Sequence, residues 1–141
     1  KELGTHQGAT AAAALLTKPE KVLLIDLSLE KYRKYAKPIF EEYCNNNDIR
    51  LSVLEVDSGS TDSLDGETYD MMLIDSWHVR HHMEKELSIH SDSIKKYIVF
   101  HDTNSEPDLQ RCVENFCSKG DWTIIERGLT NVGYTVIKRI K

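Results

Sequence analysis

Glu2-Leu3-Gly4-Thr5-His6-Gln7-Gly8-Ala9-Thr10, followed by Val22-Leu23-Leu24-Ile25-Asp26, is the stretch on which the fold turns. Glu2-Leu3 reads as the closing step of a strand. Glycines at 4 and 8 let the backbone turn sharply from strand to helix and approach a ligand closely. The Ala-rich run Gly8–Leu16 is the helix, and the free N–H groups at its start suit an anionic group. Val22–Asp26 has strand length, and an acid at its end can accept hydrogen bonds from ribose hydroxyls. Glycine spacing alone is common; strand, glycine turn, helix, strand and acid in that order point to a nucleotide-binding βαβ unit. A strand of ordinary length needs about five or six residues. The first strand is therefore expected to begin ahead of Lys1, in a single domain over residues 1–141 that lacks its N-terminal segment.

Outward from this unit, short apolar runs alternate with helical stretches, the pattern of a parallel sheet with helices on both faces. Leu51–Val56, Tyr69–Asp75 and Tyr97–His101 are the further strands. Leu29–Cys44 reads as a helix with Ser28 as N-cap and a kink or break at Pro38. His78–Lys95 carries Val79, Met83, Leu87 and Ile94 as one buried stripe. Pro107–Ser118 is a helix with Pro107 in its first turn and Gly120 beyond its end. The last two runs, Trp122–Arg127 and Tyr134–Arg139, have no helix between them, only a linker with Gly128, Asn131 and Gly133. Strands joined so closely are antiparallel neighbours. The expected fold is α/β, a Rossmann-like, mostly parallel sheet closed by a C-terminal antiparallel hairpin.

Bulk properties narrow the function. The chain has 141 residues, enough for one domain. Its hydrophobic share of 40% and charged share of 29% are those of a soluble globular protein. No apolar run approaches the ~20 residues of a membrane helix, and no basic-then-apolar leader is present. A net charge of −5 argues against binding nucleic acid through phosphates. Three cysteines without a CxxC pair argue against a disulfide framework and for a reducing, cytoplasmic setting.

ELGTHQGAT followed by LLIDLS resembles the first motif and following acid of class I S-adenosylmethionine-dependent methyltransferases. YDMMLIDSWH and YIVFHDT resemble that family's fourth and fifth strands, and the terminal hairpin its sixth and seventh. The resemblance implies an S-adenosyl-L-methionine site. Gly4 with the nearby backbone of Thr5 and Gly8 would line the cofactor, Glu2 would lie beneath it, and Asp26 would hold the ribose. Asp57 and Ser58, at the end of the third strand, would lie near the adenine, and Asp75 is a further cofactor-binding candidate.

Asp75 and Asp102 each follow an apolar strand. If those strands are neighbours, the carboxylates stand close enough to share a hard ion such as Mg²⁺. IDSWH is similar to the metal-binding segment of catechol O-methyltransferase. HDT resembles its second metal segment, with Thr103 where that enzyme has an amide, and also resembles small bacterial methyltransferases related to cephalosporin-pathway enzymes. The metal set so implied is Asp75, Asp102 and Thr103; the two aspartates could equally cap adjoining elements.

His78 falls where the catechol enzyme has its lysine base, and imidazole can take a hydroxyl proton near neutral pH. His101 is the alternative base. His81, His82 and His90 read as a polar helix surface, and Trp77 as core or as a pocket wall. The expected activity is O-methylation of a small molecule, with self-association left open. A non-catalytic cofactor-binding domain and a nucleotide-binding oxidoreductase are the alternatives, the latter disfavoured by the lack of GxGxxG.

Overall fold

The computed structural model describes residues 1–141. Seven strands, β1 (Glu2–Leu3), β2 (Lys21–Asp26), β3 (Arg50–Glu55), β4 (Tyr69–Ile74), β5 (Ile94–His101), β6 (Trp122–Gly128) and β7 (Tyr134–Arg139), form one sheet. Five helices, α1 (Ala9–Leu15), α2 (Glu30–Tyr35), α3 (Lys37–Asn46), α4 (Arg80–His90) and α5 (Pro107–Cys117), connect them. The strand order is β3-β2-β1-β4-β5-β7-β6. All neighbours from β3 to β5 run parallel, whereas β7 lies antiparallel to both β5 and β6. The chain winds outward from β1 to β2 and β3, then returns across β1 to β4 and β5. The reversal at β1 is a topological switch point, where the diverging loops open a crevice.

The two faces of the sheet carry separate cores. Leu3, Leu23, Ile25, Met72, Ile74, Ile98 and Phe100 pack under α4 and α5. Val22 and Leu24 pack with Ala11, Leu15, Tyr32, Phe40 and Cys44 of the first three helices. Consecutive residues of β2 thus point to opposite, equally apolar layers, which is why its sequence is a continuous apolar run. The expected β-rich and helical stretches are all present, and the terminal pair is the antiparallel hairpin.

Some boundaries differ for physical reasons. The stretch from Leu29 to Cys44 is two helices meeting at Ala36, with Pro38 in the first turn of α3, where its missing N–H costs nothing. Ser28 does not cap α2; the Leu29 N–H there is satisfied by the Glu55 carboxylate at 2.9 Å. α4 stops at His90, short of Lys95. Ser91-Asp92-Ser93 forms a single 3₁₀ turn, with the Ser93 hydroxyl donating to the His90 carbonyl at 2.7 Å. Such side chains compete with helical hydrogen bonds. Ile94 then opens β5 opposite Tyr69, fully buried in the sheet and not on the helical stripe. No helix is long and apolar enough to cross a membrane.

Candidate active site

The ends of β1, β2, β3, β4 and β5 bring Gly4, Asp26, Asp57, Asp75 and Asp102 to one edge of the sheet. The turn after β1 is pinned at both sides: the Gly4 N–H donates to the Ile25 carbonyl at 2.8 Å and the Asp75 N–H to the Leu3 carbonyl at 2.9 Å. Gly4 has φ 86°, in the left-handed region, and a Cβ there would overlap the Asp75 carbonyl. Glycine is therefore required by the neighbouring strand as well as by the turn. Gly8, at φ 87°, serves packing: a Cβ would press on Ala36 at 3.0 Å and Phe40 at 3.1 Å. It lets the start of α1 close onto α2 and α3.

Glu2 and Thr5 are buried at the floor of this turn, and Glu2 Oε2 and Thr5 Oγ1 have no hydrogen-bond partner. Burial pushes the Glu2 carboxyl up to about 7, with the nearby Asp75 and Asp26 charges acting the same way and Thr5 opposing. Orphaned polar atoms in a buried site cost free energy unless a ligand satisfies them. Asp26 already accepts two backbone bonds, from the His6 N–H at 2.6 Å and the Ser28 N–H at 3.0 Å. It clamps the β1 and β2 loops together, and each carboxylate oxygen retains a lone pair for a further donor.

Asp57 accepts from the Gly59 N–H at 2.8 Å and is largely exposed. Ser58 turns inward. Its hydroxyl donates to Glu86 Oε1 at 2.5 Å and lies 3.3 Å from His82 Nε2. Below it, the His90 Nε2–H donates to the Ser58 carbonyl at 2.9 Å, and the Lys1 ammonium faces His90 Nδ1 at 3.1 Å. Burial holds His90 down at about 4 and raises Glu86. His82 and His90 are therefore buried, contrary to the polar-surface reading. Their signal was present in the sequence: His82, Glu86 and His90 recur at intervals of four, each of the first two one place before Met83 and Leu87.

β4 and β5 place the remaining acids. Asp75 and Asp102 are bridged by two imidazoles. His78 Nε2 lies 2.7 Å from Asp102 Oδ2 and 3.7 Å from Asp75 Oδ1. His101 Nδ1 lies 3.0 Å from Asp102 Oδ2 and 3.3 Å from Asp75 Oδ1. Asp102 is buried in the left-handed region at φ 60°, a conformation costing about 1–3 kcal/mol and met most often at functional sites. The Glu106 N–H and the Ser105 hydroxyl both donate to its carbonyl. Asp75 is pushed up by burial, with His101 opposing, then Asp102 raising and His78 opposing.

Thr103 does not join this group. Its hydroxyl is 2.9 Å from that of Thr135, which donates to Gln110 at 2.7 Å. Because the peptide turns left-handed at Asp102, the next side chain leaves on the β7 side. Asp75, His78 and Asp102 do converge, each offering one ligand atom within 4.8 Å of the others. Trp77 is 64% exposed at the mouth of the site, edge-on to His81 and tilted against His82, and is not core. The hairpin loop is tied beside Asp102 by Asn104, whose side chain donates to the Leu129 and Asn131 carbonyls.

A groove of about 610 Å³ lies elsewhere, at the opposite edge along α1 and the starts of β2 and β4.

Among solved structures the chain is similar to a candidate caffeoyl-CoA O-methyltransferase from Staphylococcus aureus, at 17% identity and a TM-score of 0.72 over 98% of this chain and 74% of that one. It is similar to the magnesium protoporphyrin IX methyltransferase of Synechocystis with bound S-adenosylmethionine, at 14% identity and a TM-score of 0.69 over 98% and 68%. A Podospora anserina methyltransferase bound to S-adenosylhomocysteine matches at 14% identity and a TM-score of 0.68 over 99% and 70%. The fold is that of Rossmann-like methyltransferases. No family model and no curated protein sequence matches the chain.

Proposed function

We propose that this chain is an S-adenosylmethionine-dependent methyltransferase acting on the hydroxyl of a small molecule. The observation that carries the reading is the unsatisfied pair at the floor of the switch-point crevice, Glu2 Oε2 and Thr5 Oγ1, beneath a glycine turn and flanked by Asp26. A cationic, hydroxyl-bearing ligand answers that chemistry: an ammonium or sulfonium offsets Glu2, and ribose hydroxyls donate to Asp26. Structural similarity to methyltransferases with bound cofactor or its product supports the same choice.

S-adenosylmethionine, when bound, supplies an electrophilic methyl group for in-line displacement. The protein's own part is alignment and proton removal. His78 and His101 stand over Asp75 and Asp102, half-exposed, so an incoming hydroxyl can reach either ring. A neighbouring carboxylate fixes the orientation of an imidazole. Asp75, His78 and Asp102 also fit a divalent cation, which would lower the hydroxyl's pKa. Trp77 and the tethered hairpin loop supply apolar walls for the acceptor.

Calorimetric titration with S-adenosylhomocysteine, and separately with NAD, tests the reading. S-adenosylhomocysteine is expected to bind and NAD not to; binding of NAD alone would replace methyl transfer by a redox assignment.

A further inference from the structure

We propose that the groove between α2, α3 and β3 binds a small zwitterion with an apolar side chain, the chemistry of a branched aliphatic amino acid. The site lies apart from the switch-point crevice and does not rest on the methyltransferase reading.

The groove exists because β3 is an edge strand that the two helices cover only in part. Leu51 and Val53, two residues apart on β3, face the same way and stay half-buried. With Leu29 and Ile49 they give an aliphatic floor to a groove of about 400 Å³, which is the small end of the range for ligand pockets.

One polar group on the wall has no partner. Tyr32 is 2% exposed, and its hydroxyl makes no hydrogen bond. The ring stands edge-on to Phe40, with centroids 5.9 Å apart, which fixes its direction. Burial pushes the hydroxyl up to about 12, and the Glu41 carboxylate and Cys44 thiol, both on the same wall, act the same way. It therefore keeps its proton and is a donor without an acceptor. Such a group costs free energy until an acceptor reaches it, and a carboxylate makes the strongest bond of that kind.

The rim supplies both charges. Lys37 and Glu41 line the groove, half-exposed, and face each other at 3.8 Å, the outer limit of an ion pair. A surface pair of that kind contributes little, so the clasp parts at small cost. Arg33 is already committed: two bonds, at 3.3 Å and 2.5 Å, hold it to Glu55. A ligand carboxylate thus meets the Tyr32 hydroxyl and the Lys37 ammonium. A carboxylate alone would be repelled by Glu41, and an ammonium alone would leave Tyr32 unpaired. A zwitterion answers both, with its aliphatic chain on the floor.

The test is amide NMR of the whole nitrogen-labelled chain titrated with L-leucine. Isocaproate, which lacks the ammonium, and isoamylamine, which lacks the carboxylate, are the comparison ligands. L-leucine is expected to give saturable shifts confined to α2, α3 and β3, and to bind at least about tenfold more tightly than either analogue. Tyr32→Phe should weaken L-leucine about 10–100-fold, the worth of one hydrogen bond to a charged group. Its melting temperature should hold or rise, because an unpaired buried hydroxyl is gone. Glu41→Gln should erase the preference for L-leucine over isocaproate. That residue is on the surface, so this arm stands even where Tyr32→Phe perturbs the fold. No saturable shift at millimolar L-leucine, or equal binding of the analogues, overturns the inference. So does a lower melting temperature of Tyr32→Phe with unchanged L-leucine affinity, which would assign the hydroxyl to an internal water.

Discussion

Glu2 shows how one buried carboxyl links ligand, stability and pH. Its folded value of about 7 lies above the ordinary 4.5. The unfolded chain therefore gives up this proton first, and stability falls as pH rises from about 4.5 to about 7. Glu2→Gln removes that slope. Its melting temperature relative to wild type is expected to climb between about pH 5 and pH 8, within an upper bound of about 3 kcal/mol; parallel curves would mean Glu2 titrates normally. In the same window, S-adenosylhomocysteine should bind wild type more tightly at higher pH, since an ionised Glu2 meets its ammonium. Asp26→Ala should weaken that ligand by about 1.5–3 kcal/mol and also lower the melting temperature, because the His6 and Ser28 N–H groups lose their acceptor. Unchanged affinity would place the ribose elsewhere. Gly4→Val is a test of folding and not of the cofactor: its Cβ meets the Asp75 carbonyl before it meets any ligand.

Helix α4 carries polar residues on the side it buries, and these fasten the loop after β3 to the helix. The His90 Nε2–H satisfies the Ser58 carbonyl. His90→Leu should cost about 1–3 kcal/mol, because the Ser58 carbonyl loses its donor at 2.9 Å and keeps only the longer contact from the Ser63 hydroxyl at 3.3 Å. The pH dependence has the opposite sign to that of Glu2. His90 is held at about 4, below its ordinary 6.5. The unfolded state takes up the proton first, so stability is lost as pH falls through that interval. His90→Gln keeps a donor and should flatten the acid limb of denaturant midpoints against pH; an unaltered limb would assign acid unfolding to other groups. The hairpin makes a comparable case. Gly133, at φ 74°, would drive a Cβ into Asn104. Gly133→Ala is expected to destabilise the hairpin loop and loosen the wall beside Asp102.

Across the whole molecule, β1 lies inside the sheet between β2 and β4 yet pairs over two residues only, Glu2 and Leu3. The starts of β2 and β4 flank the large groove, where Met71 is 46% exposed. Adding a short apolar, strand-forming segment ahead of Lys1 should pair with those two edges and raise the melting temperature. An equal melting temperature would show that the groove does not accept a strand.

Alternation of apolar runs with helical stretches determined the parallel sheet, and the closely spaced final pair determined the hairpin, because both are consequences of local periodicity and loop length. The acids at strand ends were legible for the same reason: a parallel strand ends where its loop begins, so Asp26, Asp75 and Asp102 announced themselves. Tertiary structure alone decided what faces what. It turned Thr103 toward Thr135 through the left-handed peptide at Asp102. It also laid His78 and His101 across two carboxylates 27 residues apart in sequence. Such choices depend on backbone torsions and on the register of β4 with β5, which bring distant residues within hydrogen-bonding distance, and a residue pattern along the chain carries neither.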